Sequence, residues 1–260
     1  MIEIVDLTFR YGSQEPIFDG FSWSVAAGDS WAILGPSGCG KTTLLYLLAG
    51  LKHSTAGSVC VGTGCLGKPR PGTGLILQDY GLLPWATVYD NVALGLRLRS
   101  FYGPDGRHAP RETANPPDDR QAQFWVDRLG LRAVADQYPG QLSGGQRQRT
   151  AIARTLTLNP DLLLMDEPFA SLDAPTRESL QRLILQLQEE RGLTVVIVTH
   201  AIEEAVWMGR KILVLSRATN RTAEIIENPN AGQPGYQNSS AYASLCDRLR
   251  IMLGEVERQP

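Results

Sequence analysis

The sequence predicts an α/β fold built on a mainly parallel sheet, and three observations carry that prediction. Three short segments are apolar essentially throughout: Trp31 to Leu34, Leu162 to Met165 and Thr194 to Val198. Strands covered by helices on both faces need runs of this kind. Each run stands close to a helical segment, the alternation that βαβ units produce. Finally, the glycine-rich stretch GPSGCGKT, Gly35 to Thr42, lies between the first run and a helix expected over Thr42 to Ala49, closed by Gly50.

The remaining elements follow in order. Ile2 to Phe9, and Phe21-Trp23-Val25, alternate apolar and polar residues as half-exposed antiparallel strands do. Tyr11-Gly12 between them reads as a turn with an exposed aromatic. Thr73 to Leu77 adds a strand ending at Gln78. Val88 to Arg99 and Gln121 to Leu129 read as helices flanking residues 100–120. There Gly103, Pro104, Gly106, Pro110, Pro116 and Pro117 predict a loop. Another helix follows Leu142 and runs through Ala153 to Leu158. Asn228 to Ser240 is irregular. An amphipathic helix from near Ala241 then places Leu245, Leu249 and Met252 or Leu253 on one face, expected to dock.

Composition narrows the function classes. With 260 residues and 43% hydrophobic content the chain can bury a sizeable core, with room for a smaller subdomain. The formal charge of −2 is spread along the chain, and no basic run suggests nucleic-acid binding. The N-terminus has neither the charged nor the apolar region of a signal peptide. No window approaches the ~20 apolar residues of a membrane span. A water-soluble, cytoplasmic chain is expected. Cys39, Cys60, Cys65 and Cys246 lack metal-ligand spacing, so zinc is not expected and a reducing compartment fits all four. Cys39 reads as a small filler within the glycine-rich loop, where oxidation would block nucleotide binding.

The chemistry concentrates in three strings. Gly35, Gly38 and Gly40 let backbone N–H groups turn inward as an anion cradle, and the following helix N-terminus adds positive charge there. Lys41 then reaches the β- and γ-phosphates, and the Thr42 hydroxyl is placed to ligate Mg²⁺. A chance match in a glycine-rich turn is the bland alternative, and the strand–loop–helix context argues against it. The run Leu162 to Met165 delivers two carboxylates. Asp166 can hold Mg²⁺ through its water shell, and Glu167 can act as general base on the attacking water. A strand ending in two solvated acids is common, but here a phosphate loop lies upstream. In Leu142-Ser143-Gly144-Gly145-Gln146, Ser143 is an N-cap residue and the glycines expose N–H groups at a helix start. This is a second anion site on one chain. Two copies arranged head to tail would each use both.

GPSGCGKT, LSGGQ, LLLMDEP, Ser171-Leu172-Asp173 and Thr199-His200 stand in the order and spacing of ATP-binding-cassette (ABC) transporter nucleotide-binding subunits. The chain resembles that family over residues 1–227, leaving 228–260 as linker and C-terminal helix. The resemblance implies a P-loop NTPase core with a mainly parallel sheet, an N-terminal antiparallel β subdomain and an inserted α-helical subdomain over about 79–160. It implies that Tyr11 stacks on adenine. The other ATP contacts would come from Gly35, Pro36, Ser37, Gly38, Cys39, Gly40, Lys41, Thr42 and Thr43, with Gln78, Ser143, Gly144, Gly145, Gln146 and Asp173. Mg²⁺ would be held by Thr42, Gln78 and Asp166, and the catalytic groups would be Glu167, His200 and Lys41. His200 would otherwise read as an ordinary surface histidine.

After Gln78 the chain continues Asp79-Tyr80-Gly81-Leu82-Leu83-Pro84-Trp85, which resembles the nitrate, sulfonate, taurine and thiamine-precursor importer branch. Leu82, Leu83 and Trp85 are either subdomain core or part of a groove for a coupling helix. The chain departs from the pattern at Leu77, where an aromatic is more usual, and in its Pro-rich loop. No appended regulatory domain of the sugar-importer kind is visible. The implied function is an ATPase powering a membrane importer of a small anionic or organic solute. ATP would close a head-to-tail dimer and hydrolysis reopen it. Implied partners are a second copy, two transmembrane permease subunits and, indirectly, an extracytoplasmic solute-binding protein; the implied place is the cytoplasmic membrane face. An exporter subunit or a soluble non-transport ABC ATPase is the alternative. The solute is not encoded, since no residue here would touch it.

Overall fold

Alternation of apolar and polar residues produces the first two strands, β1 (Ile2–Phe9) and β2 (Phe18–Val25), paired antiparallel. Ile2 and Ile4 turn inward, then Leu7 and Phe9. The parity changes at Asp6, whose φ of 49° sits in a register shift between Ile4 and Leu7. Such a bulge flips the side chains beyond it to the other face. The computed structural model describes residues 1–102, 119–216 and 219–258. The expected Pro-rich loop therefore lies largely outside the described residues.

Two compact units emerge. One comprises Met1–Arg70, Leu162–Pro168 and Gln181–Pro260; the other comprises Pro71–Asp161 and Phe169–Leu180. In the first, β3 (Ser30–Leu34) leads through the glycine-rich loop into α1 (Lys41–Leu48). Next come β4 (Ala56–Val61), which pairs with β1, and the short β5 (Gly64–Cys65).

The second unit holds β6 (Thr73–Ile76), α2 (Val88–Tyr102), α3 (Asp119–Arg128) and α4 (Gly144–Leu156). Its core gathers Val88, Val92, Trp125, Val126, Ala151 and Ile152. Fully buried Asn91 clamps the turn before α2: its amide donates to the carbonyls of Leu83, Ala86 and Thr87, and its oxygen accepts from the Leu83 N–H. Strand β6 ends at Ile76, so Gln78 sits in the turn beyond it and not at the strand end.

Back in the first unit, β7 (Leu162–Asp166) and β8 (Thr194–Val198) are buried along their whole length, as their apolar runs require. The helix α5 (Ala174–Arg191), whose residues up to Leu180 belong to the second unit, connects them. Past β8 come α6 (Ile202–Met208), β9 (Lys211–Val214), β10 (Glu224–Glu227) and α7 (Ser240–Arg258). The strands run β10-β9-β3-β8-β7, with β3 parallel to both β8 and β9, β7 parallel to β8, and β10 antiparallel. The last helix is docked: Leu249 and Cys246 are buried, the Tyr242 hydroxyl donates to the Glu203 carbonyl, and Arg250 pairs with Glu203.

The expectation that a reducing compartment fits all four cysteines is corrected at two of them. Cys60 on β4 faces Cys65 on β5, and the two form a disulfide. Metal-ligand spacing carries no information on cross-strand register, and the hairpin sets these two residues opposite each other. Cys39 and Cys246 remain free and buried.

Candidate functional site

The strand order brings three loops to one edge, because β7, β8 and β3 are neighbours in a parallel arrangement. Open parallel sheets bind ligands in the crevice at the carboxyl ends of their strands. From β3 comes the glycine-rich loop, from β7 the pair Asp166-Glu167, and from β8 the pair Thr199-His200. The Thr199 N–H donates to the Ile33 carbonyl and the Glu167 N–H to the Val198 carbonyl, fixing these loops to adjacent strands.

Within the loop, Gly40 has φ of 103° and a Cβ there would lie 2.4 Å from Ile17, so glycine is required twice over. A Cβ on Gly35 would stand 2.6 Å from Cys39 Sγ and 2.7 Å from the Leu215 carbonyl, so that position demands a close approach. The Lys41 ammonium is buried and donates to the carbonyls of Gly35 at 2.8 Å and Pro36 at 2.9 Å. A phosphate entering the cradle competes with these two carbonyls for the charge. Pro36, Ser37, Gly38 and Cys39 form the turn between, and burial pushes the Cys39 thiol pKa up, against the pull of Lys41.

Asp166 is 6% exposed, and burial raises its pKa although a hydrogen bond from Thr42 opposes the rise. A hydroxyl and a desolvated carboxylate side by side are hard oxygen donors, the chemistry that suits Mg²⁺. A divalent cation would also relieve the cost of keeping this carboxylate charged. The donor set fits the ion. Among the described residues no cluster of three His, Cys, Asp or Glu could hold a metal, so the fit rests on this pair.

Glu167 is held in an unusual backbone state. Its φ is 45°, although it is not glycine and precedes Pro168, a position that favours extended backbone. Strain of this kind persists only where the surroundings over-determine it, and it gathers at functional sites. The result is that Glu167 Oε1 lies 3.1 Å from His200 Nδ1. The carboxylate is mostly sheltered at 20% side-chain exposure, and the imidazole is 63% exposed.

Tyr11 is exposed, and its hydroxyl meets Thr43 Oγ1 at 3.1 Å. Phe9 packs edge-on against its ring at 5.0 Å, and Lys52 Nζ stands 4.7 Å over its face. Sequence reasoning had no signal for Lys52 or for Asn220. The latter is buried, and its amide donates to the Cys39 carbonyl at 3.1 Å and the Ile17 carbonyl at 3.3 Å, while its Oδ1 accepts from the Ser216 N–H. It braces the phosphate loop from behind. No motif marks such a residue, because the partners are distant in sequence.

The other expected residues fall in the second unit. Ser143 caps α4 by accepting from the Gln146 N–H, and Gln146 Oε1 accepts from the Ser143 N–H in return, a capping box. Gly144 and Gly145 open the helix. A Cβ on Gly145 would lie 2.5 Å from Thr176, so this helix start is packed against the start of α5. Asp173 accepts from the Thr176 N–H at 3.2 Å, and the Thr176 hydroxyl first, then that N–H, hold its carboxyl below the usual range. Gln78 is exposed in its turn. Tyr11, Lys41, Thr42, Asp166, Glu167 and His200 thus gather in one unit, and Gln78, Ser143 to Gln146 and Asp173 belong to the other.

Residues 18–170 match the protein-family model described as ABC transporter. The taurine import ATP-binding protein TauB of Escherichia coli K12 is 41% identical over 224 residues, which are 86% of this chain and 83% of that protein. A solved dimeric ATP-binding cassette in a post-hydrolysis state, bound to ADP and Pi, is similar at a TM-score of 0.71 and 29% identity, covering 87% of this chain and 98% of that one. CbiO1 of Clostridium perfringens, part of an ABC transporter complex, has a TM-score of 0.73 at 23% identity over 98% of both chains, which speaks for the fold alone. The glycine-rich loop, the LSGGQ helix and the two carboxylates all lie inside the matched span, and with that breadth of identity the chain belongs to the ABC transporter family, as an ATPase.

Proposed function

We propose that this chain is the ATP-hydrolysing subunit of an importer for a small anionic or organic solute of the nitrate, sulfonate or taurine kind. The similarity to a taurine import subunit supports the direction and the solute class. The observation that carries the catalytic reading is the 3.1 Å contact between Glu167 and His200 at the carboxyl edge of the parallel strands, beside the phosphate loop.

Tyr11 receives the adenine, and Gly35 to Thr43 take the phosphates, with Lys41 supplying positive charge against the β- and γ-oxygens. Mg²⁺, when bound, neutralises developing phosphate charge; Thr42 and Asp166 would hold it, with Gln78 as a further ligand. Glu167 accepts a proton from the attacking water, and His200 orients that carboxylate and touches the γ-phosphate. Ser143 to Gln146 and Asp173 act on the nucleotide of a second copy, so that ATP closes a head-to-tail dimer and hydrolysis reopens it.

The domain reading that goes with this is a cassette over 1–227 with a helical subdomain at about 79–160, then a linker and terminal helix. Two permease subunits would dock on it at the cytoplasmic face, with a solute-binding protein acting on them from outside and no nucleic acid involved. Among the described residues no helix is long and apolar enough to cross a membrane.

Glu167→Gln tests the catalytic reading. An amide keeps the shape but accepts no proton, so turnover should fall by about 10²–10⁴-fold while ATP affinity persists and an ATP-bound dimer accumulates. The measurements are steady-state phosphate release and size-exclusion chromatography with Mg-ATP. Near wild-type hydrolysis would defeat the assignment.

A further inference from the structure

The turn that follows Gln78 is held in an unfavourable backbone state. Tyr80 has φ of 66° and Gly81 has φ of 55°, two consecutive left-handed residues, the first of them a bulky aromatic. That conformation survives at an aromatic only where neighbouring groups impose it. Four hydrogen bonds do so here. The Tyr80 N–H donates to the Leu77 carbonyl at 3.0 Å, and the Gly81 N–H donates to Asp79 Oδ1 at 3.2 Å. Arg154 on α4 donates to the Gly81 carbonyl at 2.6 Å and to the Tyr80 carbonyl at 2.9 Å. Burial has stripped water from that guanidinium, and Asp79 offsets part of the cost.

The ring of Tyr80 is buried, yet its hydroxyl reaches Ser171 Oγ at 2.6 Å. Ser171 stands two residues before Asp173, in a loop with little slack. The Leu172 N–H donates to the Phe169 carbonyl, Arg177 donates to the Leu172 carbonyl, and Asp173 caps the first turn of α5. The Tyr80 side chain therefore joins the Gln78 turn to the Asp173 loop, and the Arg154 side chain ties the same turn to the LSGGQ helix, all inside one compact unit. One short hydrogen bond thus connects the turn to the Asp173 loop.

We propose that Tyr80 is a positioning residue that locks the Gln78 turn to the Asp173 loop through Ser171, so that the two loops change geometry together in the ATPase cycle. This rests on the reading of Gln78 and Asp173 as nucleotide-site residues.

The test removes each hydroxyl alone and both together in the full chain: Tyr80→Phe, Ser171→Ala and the double variant. Each single change should lower kcat for ATP about three- to tenfold, the worth of one hydrogen bond of this kind. The KM for ATP and the melting midpoint should stay within error. The double variant should be no worse than either single one, because both remove the same bond. Ser171→Thr, which keeps a hydroxyl, should restore turnover. Multiplying losses, unchanged kcat in both singles, or a melting shift large enough to account for the lost activity would each overturn the proposal. Gln78→Ala separates the two layers. Wild-type turnover in that variant defeats the underlying assignment of Gln78, whereas a slow Gln78→Ala together with multiplying Tyr80 and Ser171 losses defeats the lock alone.

Discussion

At the residue scale, the contrast between Lys41 and Asn220 separates chemistry from support. Lys41→Ala removes the one mobile cation in the cradle, so nucleotide affinity itself should fall, read as binding of a fluorescent ATP analogue; unchanged affinity would contradict its role. Asn220 acts on the loop from its backbone side, through the Cys39 carbonyl. Replacing it with Ala leaves the buried Cys39 carbonyl without its side-chain donor and removes the part-buried bonds to the Ile17 carbonyl and the Ser216 N–H, at about 1–3 kcal/mol. Asn220→Ala should therefore lower the melting midpoint by several degrees and weaken ATP binding, while turnover at saturating ATP is largely kept. A full-strength melt with normal affinity would show that the loop holds itself. The two residues also mark the limit of what the sequence could reveal. Lys41 was legible because phosphate chemistry demands that residue at that spacing. Asn220, Lys52 and the left-handed Glu167 were not, since contacts across 181 residues in one case and backbone strain in another leave no local pattern.

At the scale of elements, period and burial made β1, β2, β3, β7 and β8 legible, and the N-cap at Ser143 located α4. The bulge at Asp6 was hidden, because alternation alone does not say where the register slips. The same blindness to register concealed the Cys60–Cys65 pairing. The N-terminus of α2 offers a measurable case. Thr87 Oγ1 accepts from the Asp90 N–H and donates to the Asp90 carboxylate, and that bond, ahead of Arg97, holds the Asp90 pKa below 3.8. A lowered folded pKa gives stability that is present above 3.8 and lost as pH falls through the folded value. Asp90→Asn should cost about 0.5–1 kcal/mol near neutral pH, given the partial exposure and screening of this site. The cost should vanish in acid, where both chains are neutral at this position. Paired melting curves at neutral and strongly acidic pH read this directly; an equal deficit at both would assign the effect to shape instead of charge.

At the scale of the whole molecule, the proposed function depends on two surfaces. The capped start of α4 is one. Ser143→Arg should leave ATP binding on the free chain nearly intact while abolishing dimer closure and hydrolysis, and loss of monomer binding would count against a role in the partner's site. The turn before α2 is the other. Trp85 is 74% exposed and Leu83 is half-buried, an apolar pair at a surface. Exposed apolar groups of this size, when grouped, mark interfaces. The backbone beneath them is clamped independently, since Asn91 bonds both the N–H and the carbonyl of Leu83. A side-chain change at Leu83 can therefore alter the surface without releasing the turn. Leu83→Asp introduces a charge that docking would have to desolvate, on the order of several kcal/mol if unpaired. The variant should fold, bind Mg-ATP and show a normal melting shift with nucleotide, yet fail to co-purify with its membrane subunits and fail to support transport. Full co-purification would place the receiving groove elsewhere. A collapsed melting curve would show that Leu83 serves the core of its own unit, and the apolar exposure of Trp85 would then need a different partner.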